Sequence, residues 1–163
     1  MQMKSWVEQG VYTLVILARI PKKTTISAEC LSKCLGVSPS YLKKLMRKLV
    51  QAGLIHSVPG IKGGFSLARD ASDITVYDVY VAVEGVESLY RNHGIFEQII
   101  GNEEVKDKVC VLEKLMCEAE DSWKEVLKRE TLSSLNLKVD NICLTQNLKL
   151  MNSLIKDEIL KES

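Results

Sequence analysis

All nine glycines and all three prolines of this 163-residue chain lie at or before Gly101. The 62 residues that follow hold neither of the strong helix breakers, so that stretch is expected to be almost entirely helical. The first half is punctuated instead, by Pro21, Gly36, Gly53 and a cluster of three glycines and a proline between Pro59 and Gly64. It must be assembled from short pieces.

Those pieces can be read in order. Val7, Val11, Leu14, Val15, Leu17 and Ala18 recur at helical spacing, which predicts a helix from Ser5 to about Ile20, ended by Pro21. A second helix is expected to begin at Ser27, a good N-cap, and to stop near Leu35 at Gly36. A third follows almost at once, with Ser38 as N-cap, Pro39 at the first helical position and Gly53 as the stop. Ile55 to Val58 and Phe65 to Ala68 read as antiparallel strands, with Gly60, Gly63 and Gly64 supplying positive-φ conformations for the loop between them. Two short helices joined at a glycine and followed by a small hairpin make a winged helix-turn-helix pattern. The expected architecture is therefore mainly α, with a winged helix-turn-helix domain over residues 1–85 and a helical dimerisation region with a C-terminal extension over 86–163.

Charge separates the same two regions. Residues 1–70 carry eleven Lys/Arg against three Asp/Glu, whereas residues 71–163 carry eleven against eighteen. A basic first half beside an acidic second half fits a chain whose N-terminal part meets a polyanion. On the third helix, Leu42, Leu45, Met46 and Leu49 occupy one stripe, and Ser40, Tyr41, Lys43, Lys44, Arg47 and Lys48 cover the remainder without an acid among them. Such a face suits a recognition helix, whose N-terminal hydroxyls and amides reach phosphates or base edges while Lys and Arg attract the backbone and read guanine. Ser38, Lys62 at the wing tip, and the bare amides of Gly63 and Gly64 complete the expected DNA contacts. The other reading is a protein-interaction module that docks an acidic partner with the same helix and wing.

These motifs carry a resemblance. "ISAECLSKCLGVSPSYLKKLMRKLVQAGLIHSVPGIKGGFSLARDASDITVYDVYVAVEG", residues 26–85, resembles the Rrf2 family of bacterial transcriptional regulators in its SxxYL helix opening, the AGL before the wing, the GxxGG loop, the LAR after it and the DITVYDVYxAVEG helix. The likeness runs over about residues 1–135 and includes "TLSSL" at 131–135. It implies a homodimer, a repressor more than an activator, on a pseudo-palindromic double-stranded DNA operator. Pro59 stands where many relatives carry a basic wing residue.

The acidic half supplies a seam. Val109, Leu112, Met116, Ala119, Trp123 and Val126 follow at alternating steps of three and four, the period of a coiled coil, and are expected to form the dimerisation face. Many family members hold an iron-sulfur cluster beside this helix through three closely spaced cysteines. Here only Cys110 occupies a matching position, too few thiolates for a [2Fe–2S] unit, so no cofactor and no metal are expected. The five cysteines lack regular spacing, which fits reduced thiols in a cytoplasmic protein. Cys30 and Cys34 share one face of the second helix and, with Cys110, are candidate redox thiols whose oxidation would weaken operator binding; two cysteines do not complete a zinc site. The effector, small-molecule or redox, is not legible. The apolar run from Val11 to Ile20 is too short for a membrane span, and neither a signal peptide nor any catalytic signature is found. The tail from Lys138 to Ser163, with Val139, Ile142, Leu148, Met151, Leu154 and Ile155 helically spaced, is expected to pack across the dimer or cap an effector pocket.

Overall fold

The computed structural model describes residues 4–60, 63–100, 111–142 and 146–162. The elements in order are α1 (Ser5–Leu17), α2 (Ala28–Leu35), α3 (Pro39–Gln51), β1 (Ile55–Val58), β2 (Gly64–Leu67), α4 (Val76–Glu84), α5 (Ile95–Ile100), α6 (Val111–Arg129), α7 (Leu132–Ile142) and α8 (Gln146–Glu162). The expected helix-helix-hairpin order is present. The first helix closes at Leu17, three residues before the expected end, with Ala18 as its cap. No helix among the described residues is long and apolar enough to cross a membrane.

One apolar core organises the chain. Leu14 and Leu17 of α1, Leu31 of α2, Leu42, Leu45 and Leu49 of α3, and Val79 of α4 are all essentially inaccessible. Burying a side chain of this size stabilises the fold by about 1.5–3 kcal/mol. The tight crossing of α1 over α4 depends on Gly10, where a Cβ would stand 3.1 Å from a Val79 methyl and 3.3 Å from one of Val83.

The hairpin pairs Ile55 with Leu67, His56 with Ser66, Ser57 with Phe65 and Val58 with Gly64. A third backbone segment joins it, because Ile26 and Phe65 exchange two hydrogen bonds of 2.9 and 3.0 Å. This bridge changes the role of Gly64. Of the three loop glycines only Gly60 has a positive φ, at 115°. Gly64 is extended and buried, and a Cβ there would stand 2.6 Å from the Ile26 carbonyl carbon. The residue is glycine so that Ile26 can approach, and its amide is not free to meet DNA.

The chain returns to this core after α6. Val76 N–H donates to the Glu130 carbonyl at 2.8 Å, Leu132 N–H to Ile74 at 2.9 Å and Ser133 N–H to Ala71 at 3.1 Å. "TLSSL" makes this junction because Thr131 Oγ1 accepts from Ser134 N–H while Ser134 Oγ accepts from Thr131 N–H, starting α7 where the bridge ends. Leu132 and Ile155 belong to the same buried cluster as the N-terminal residues. A division at 85/86 therefore does not separate two cores. Gly64→Ala is expected to lower unfolding stability by about 1–3 kcal/mol through backbone overpacking, read as a lower urea midpoint at unchanged slope.

Candidate nucleic-acid interface

The geometry of α3 follows from its ends and its stripe. Ser38 Oγ accepts from Tyr41 N–H at 3.4 Å, Pro39 opens the helix, and Leu42, Leu45, Met46 and Leu49 are buried. That burial turns Ser40, Lys43, Lys44 and Arg47 to solvent at i, i+3, i+4 and i+7, on one face together with Gln51, a residue the sequence reading passed over. Lys43, Lys44 and Arg47 form no ion pair among the described residues. Three cations are thus left for a polyanion, next to two exposed hydroxyls, Ser38 and Ser40, 3.4 Å apart.

Tyr41 and Lys48 do not join that face. They lie seven residues apart on the flank toward α1, where Trp6 packs. Tyr41 meets the Trp6 ring edge-on, with centroids 5.0 Å apart at 69°. Lys48 Nζ sits 5.2 Å from the same ring's centroid and donates to the Val83 carbonyl of α4. A cation held over an indole and by a carbonyl is satisfied within the chain. Both residues are half-buried and help to orient α3, which sets them apart from the fully exposed face.

At the wing, Lys62 lies outside the described residues. Gly63 is partly exposed and donates its N–H to the Gly60 carbonyl at 3.0 Å, whereas Gly64 is the buried residue discussed above. His56 is exposed on β1.

On α6 the exposed apolar side chains coincide only in part with the residues expected at the seam. Val109 and Cys110 lie outside the described residues. Trp123 is half-buried against α4, edge-on to Tyr80 at 4.7 Å and to Tyr77 at 6.5 Å, and Met116 on the same flank is half-buried as well. Glu120 fixes this packing: its carboxylate accepts from Ser88 Oγ and Leu89 N–H, each at 2.9 Å, and pairs with Lys124 at 2.8 Å. The Lys124 ammonium, followed by the Leu89 amide, holds the carboxyl below the usual carboxylate range. Val111 (74%), Leu112 (51%), Leu115 (58%) and Val126 (49%) are the large apolar side chains exposed on α6, and of these Leu112, Leu115 and Val126, with Ala119 between them, keep heptad spacing. Leu115 was missed, although the steps from 112 to 115 and 115 to 119 fit a heptad as well as the residues first chosen. Trp123 is engaged by the aromatic rings of α4 within the chain, and Met116 is less exposed than Leu112, Leu115 and Val126.

The thiols are corrected too. Cys30 is buried under α8, where its Sγ approaches the Leu154 carbonyl at 4.0 Å, and burial pushes its pKa up to about 12. Burial also raises Cys34. Neither stands open beside the recognition helix as a reactive thiolate. Cys117 on α6 is exposed.

An exposed cationic helix, positioned by a helix before it and a β-hairpin after it, defines a winged helix-turn-helix protein of the regulator class. The chain matches the Rrf2 family, described as iron-dependent transcriptional regulator, over residues 3–137. It is 49% identical over 132 residues to the HTH-type transcriptional regulator YwgB of Bacillus subtilis (strain 168), covering 81% of this chain and 82% of that one. It is 41% identical over 133 residues to the HTH-type transcriptional regulator YffB of Lactococcus lactis subsp. lactis (strain IL1403), covering 82% and 85%. The solved structure of T. potens IscR superimposes with a TM-score of 0.68 at 25% identity, covering 90% of this chain and 93% of the other. The chain belongs to the Rrf2 family of transcriptional regulators, which are not enzymes.

The family description names iron, and the donor set of this chain decides whether a cluster fits. Between Val86 and Cys110 the sequence offers a single thiolate, Cys110, with His93 as the one imidazole. Cys30 is committed under α8, and no group of three His, Cys, Asp or Glu residues among the described ones is placed to hold a metal. These residues do not fit a cluster that requires four ligands. With iodoacetamide at pH 8, Cys117 is expected to alkylate well before Cys30, which should react only on unfolding; peptide mass mapping over time checks the order, and equal rates would contradict the burial.

Proposed function

We propose that this chain is a cytoplasmic, homodimeric repressor that binds a pseudo-palindromic DNA operator. The observation that carries the reading is the exposed face of Ser40, Lys43, Lys44 and Arg47, cationic and without internal counter-charges among the described residues. In this reading the N-terminal part of α3 enters the major groove, Ser38 and the helix-start amides hold a phosphate, and the wing with Lys62 and Gly63 lies along the backbone. The stripe of Leu112, Leu115, Ala119 and Val126 pairs with that of a second copy. Apolar side chains this exposed at heptad spacing bury their surface by association, and two-fold symmetry then sets two recognition helices on successive turns of one duplex face.

Genomic immunoprecipitation of the tagged protein should recover sites with inverted half-sites. Binding to such a duplex by fluorescence anisotropy should weaken linearly in log–log fashion as salt rises. Arg47→Ala should lower affinity and reduce that slope by about 0.9 for a lost phosphate contact, whereas Lys48→Ala should cost fold stability and leave the slope unchanged. No affinity for recovered sites even at low salt would favour the protein-adaptor reading instead.

The dimer carries its own check. Leu115→Glu is expected to yield monomers in sedimentation equilibrium with the helical content intact, and to weaken operator binding steeply because the two half-sites are no longer bound as one unit.

A further inference from the structure

The last helix closes a cleft of about 420 Å³ against α1, α2 and α7. We propose that this cleft binds an elongated amphiphilic small molecule, with an ammonium or other donor at one end, a carboxylate or other acceptor at the other, and an apolar chain between them. Only the consequence for DNA rests on the regulator reading above. The volume falls within the range of small-molecule sites. Val15, Ile16, Leu35, Val139 and Met151 form an apolar middle. Glu8 in the first turn of α1 marks one end and Arg19, two residues past the end of that helix, marks the other; the nine-residue rise from Glu8 to Leu17 alone is about 14 Å, so a compact head group would not reach both.

Each end has unused polar capacity. Glu8 is exposed and makes no ion pair among the described residues, and beside it Gln9 Oε1 is buried without a partner. At the other end Arg19 Nη2 is fixed by Asp140 at 2.8 Å, while Nε is buried with nothing to donate to. Both unpartnered atoms belong to side chains that line the cleft, so an occupant that reaches them supplies the partner each lacks. Satisfying such atoms removes the penalty of leaving them buried and unpaired.

Two of the walls, Val139 and Met151, come from chain beyond residues 3–137, the span matched to the family. The site is therefore a property of this chain's extension. It also touches the DNA-reading unit directly: Cys34 and Leu35 are the last residues of α2, separated from α3 only by Gly36, Val37 and Ser38. An occupant that fits one α2 position better than another shifts the orientation of α3 by that difference in affinity.

The test uses the full-length protein with carbon-13-labelled methyl groups, titrated with 8-aminooctanoate, and with octanoate and octylamine as single-ended controls. Saturable shifts of the Leu35, Val139 and Met151 methyls are expected with 8-aminooctanoate, each control binding about tenfold more weakly because one polar end stays unpaired. Met151→Trp should fill the cleft and abolish the shifts. Glu8→Lys, at an exposed position that does not threaten folding, should erase the advantage of 8-aminooctanoate over octanoate. Absence of saturable shifts with all three probes, or identical binding in the Glu8→Lys protein, would overturn the site. Operator affinity is measured separately at saturating 8-aminooctanoate, where a severalfold change is expected; methyl shifts without that change would overturn the coupling, and loss of DNA binding in the absence of any probe would count against the regulator reading alone.

Discussion

Burial of one stripe of α3 is the constraint on which the rest depends. Leu42, Leu45, Met46 and Leu49 are nearly inaccessible, and each contributes about 1.5–3 kcal/mol on leaving water. No placement of α3 that exposes this stripe could compete, because screened surface charges are worth far less than the apolar area at stake. The helix is therefore locked with Ser40, Lys43, Lys44 and Arg47 outward. Crowding like charges on one face is mildly unfavourable in isolation, and the core outweighs it. A face that is costly alone and satisfied by phosphates is what a regulator of this class requires.

The flanks of that helix show how a second set of contacts sharpens the orientation. Trp6 receives Tyr41 on its edge and Lys48 over its face, and Lys48 continues to the Val83 carbonyl. These contacts tie α3 to α1 and α4 at once. Trp123 plays the corresponding part for α6 by packing on Tyr77 and Tyr80, with Glu120 holding the loop at Ser88 and Leu89. In both places an aromatic ring fixes the angle of a helix and leaves its neighbours exposed, and Trp123 is the one of the two that reads from sequence as a surface residue.

The same economy governs α8 and the thiols. The hydroxyl of Ser27, the N-cap of α2, is bonded to Glu158, and Cys30 lies beneath Leu154. Covering α2 buries Cys30, and burial raises the pKa of both thiols, which disfavours thiolate chemistry at either. It also brings the extension against the helix that leads into α3.

Sequence by itself determined the elements and their type. The glycine and proline spacing, the caps at Ser27 and Ser38, Pro39 at a helix start and the apolar stripe of α3 are local signals, because each acts within one or two turns of the chain. Family membership was legible for the same reason, since its motifs sit in those local segments. What only the tertiary structure decided was the assignment of ambiguous side chains. Tyr41, Lys48, Gly64, Met116 and Trp123 lie at the edges of faces, and a helical wheel or strand pattern gives such residues two equally good directions. The choice was made by partners distant in sequence, Trp6, Ile26, Tyr77, Tyr80 and Val83, and by α8 arriving over Cys30. Long-range packing selects among directions that local periodicity leaves open.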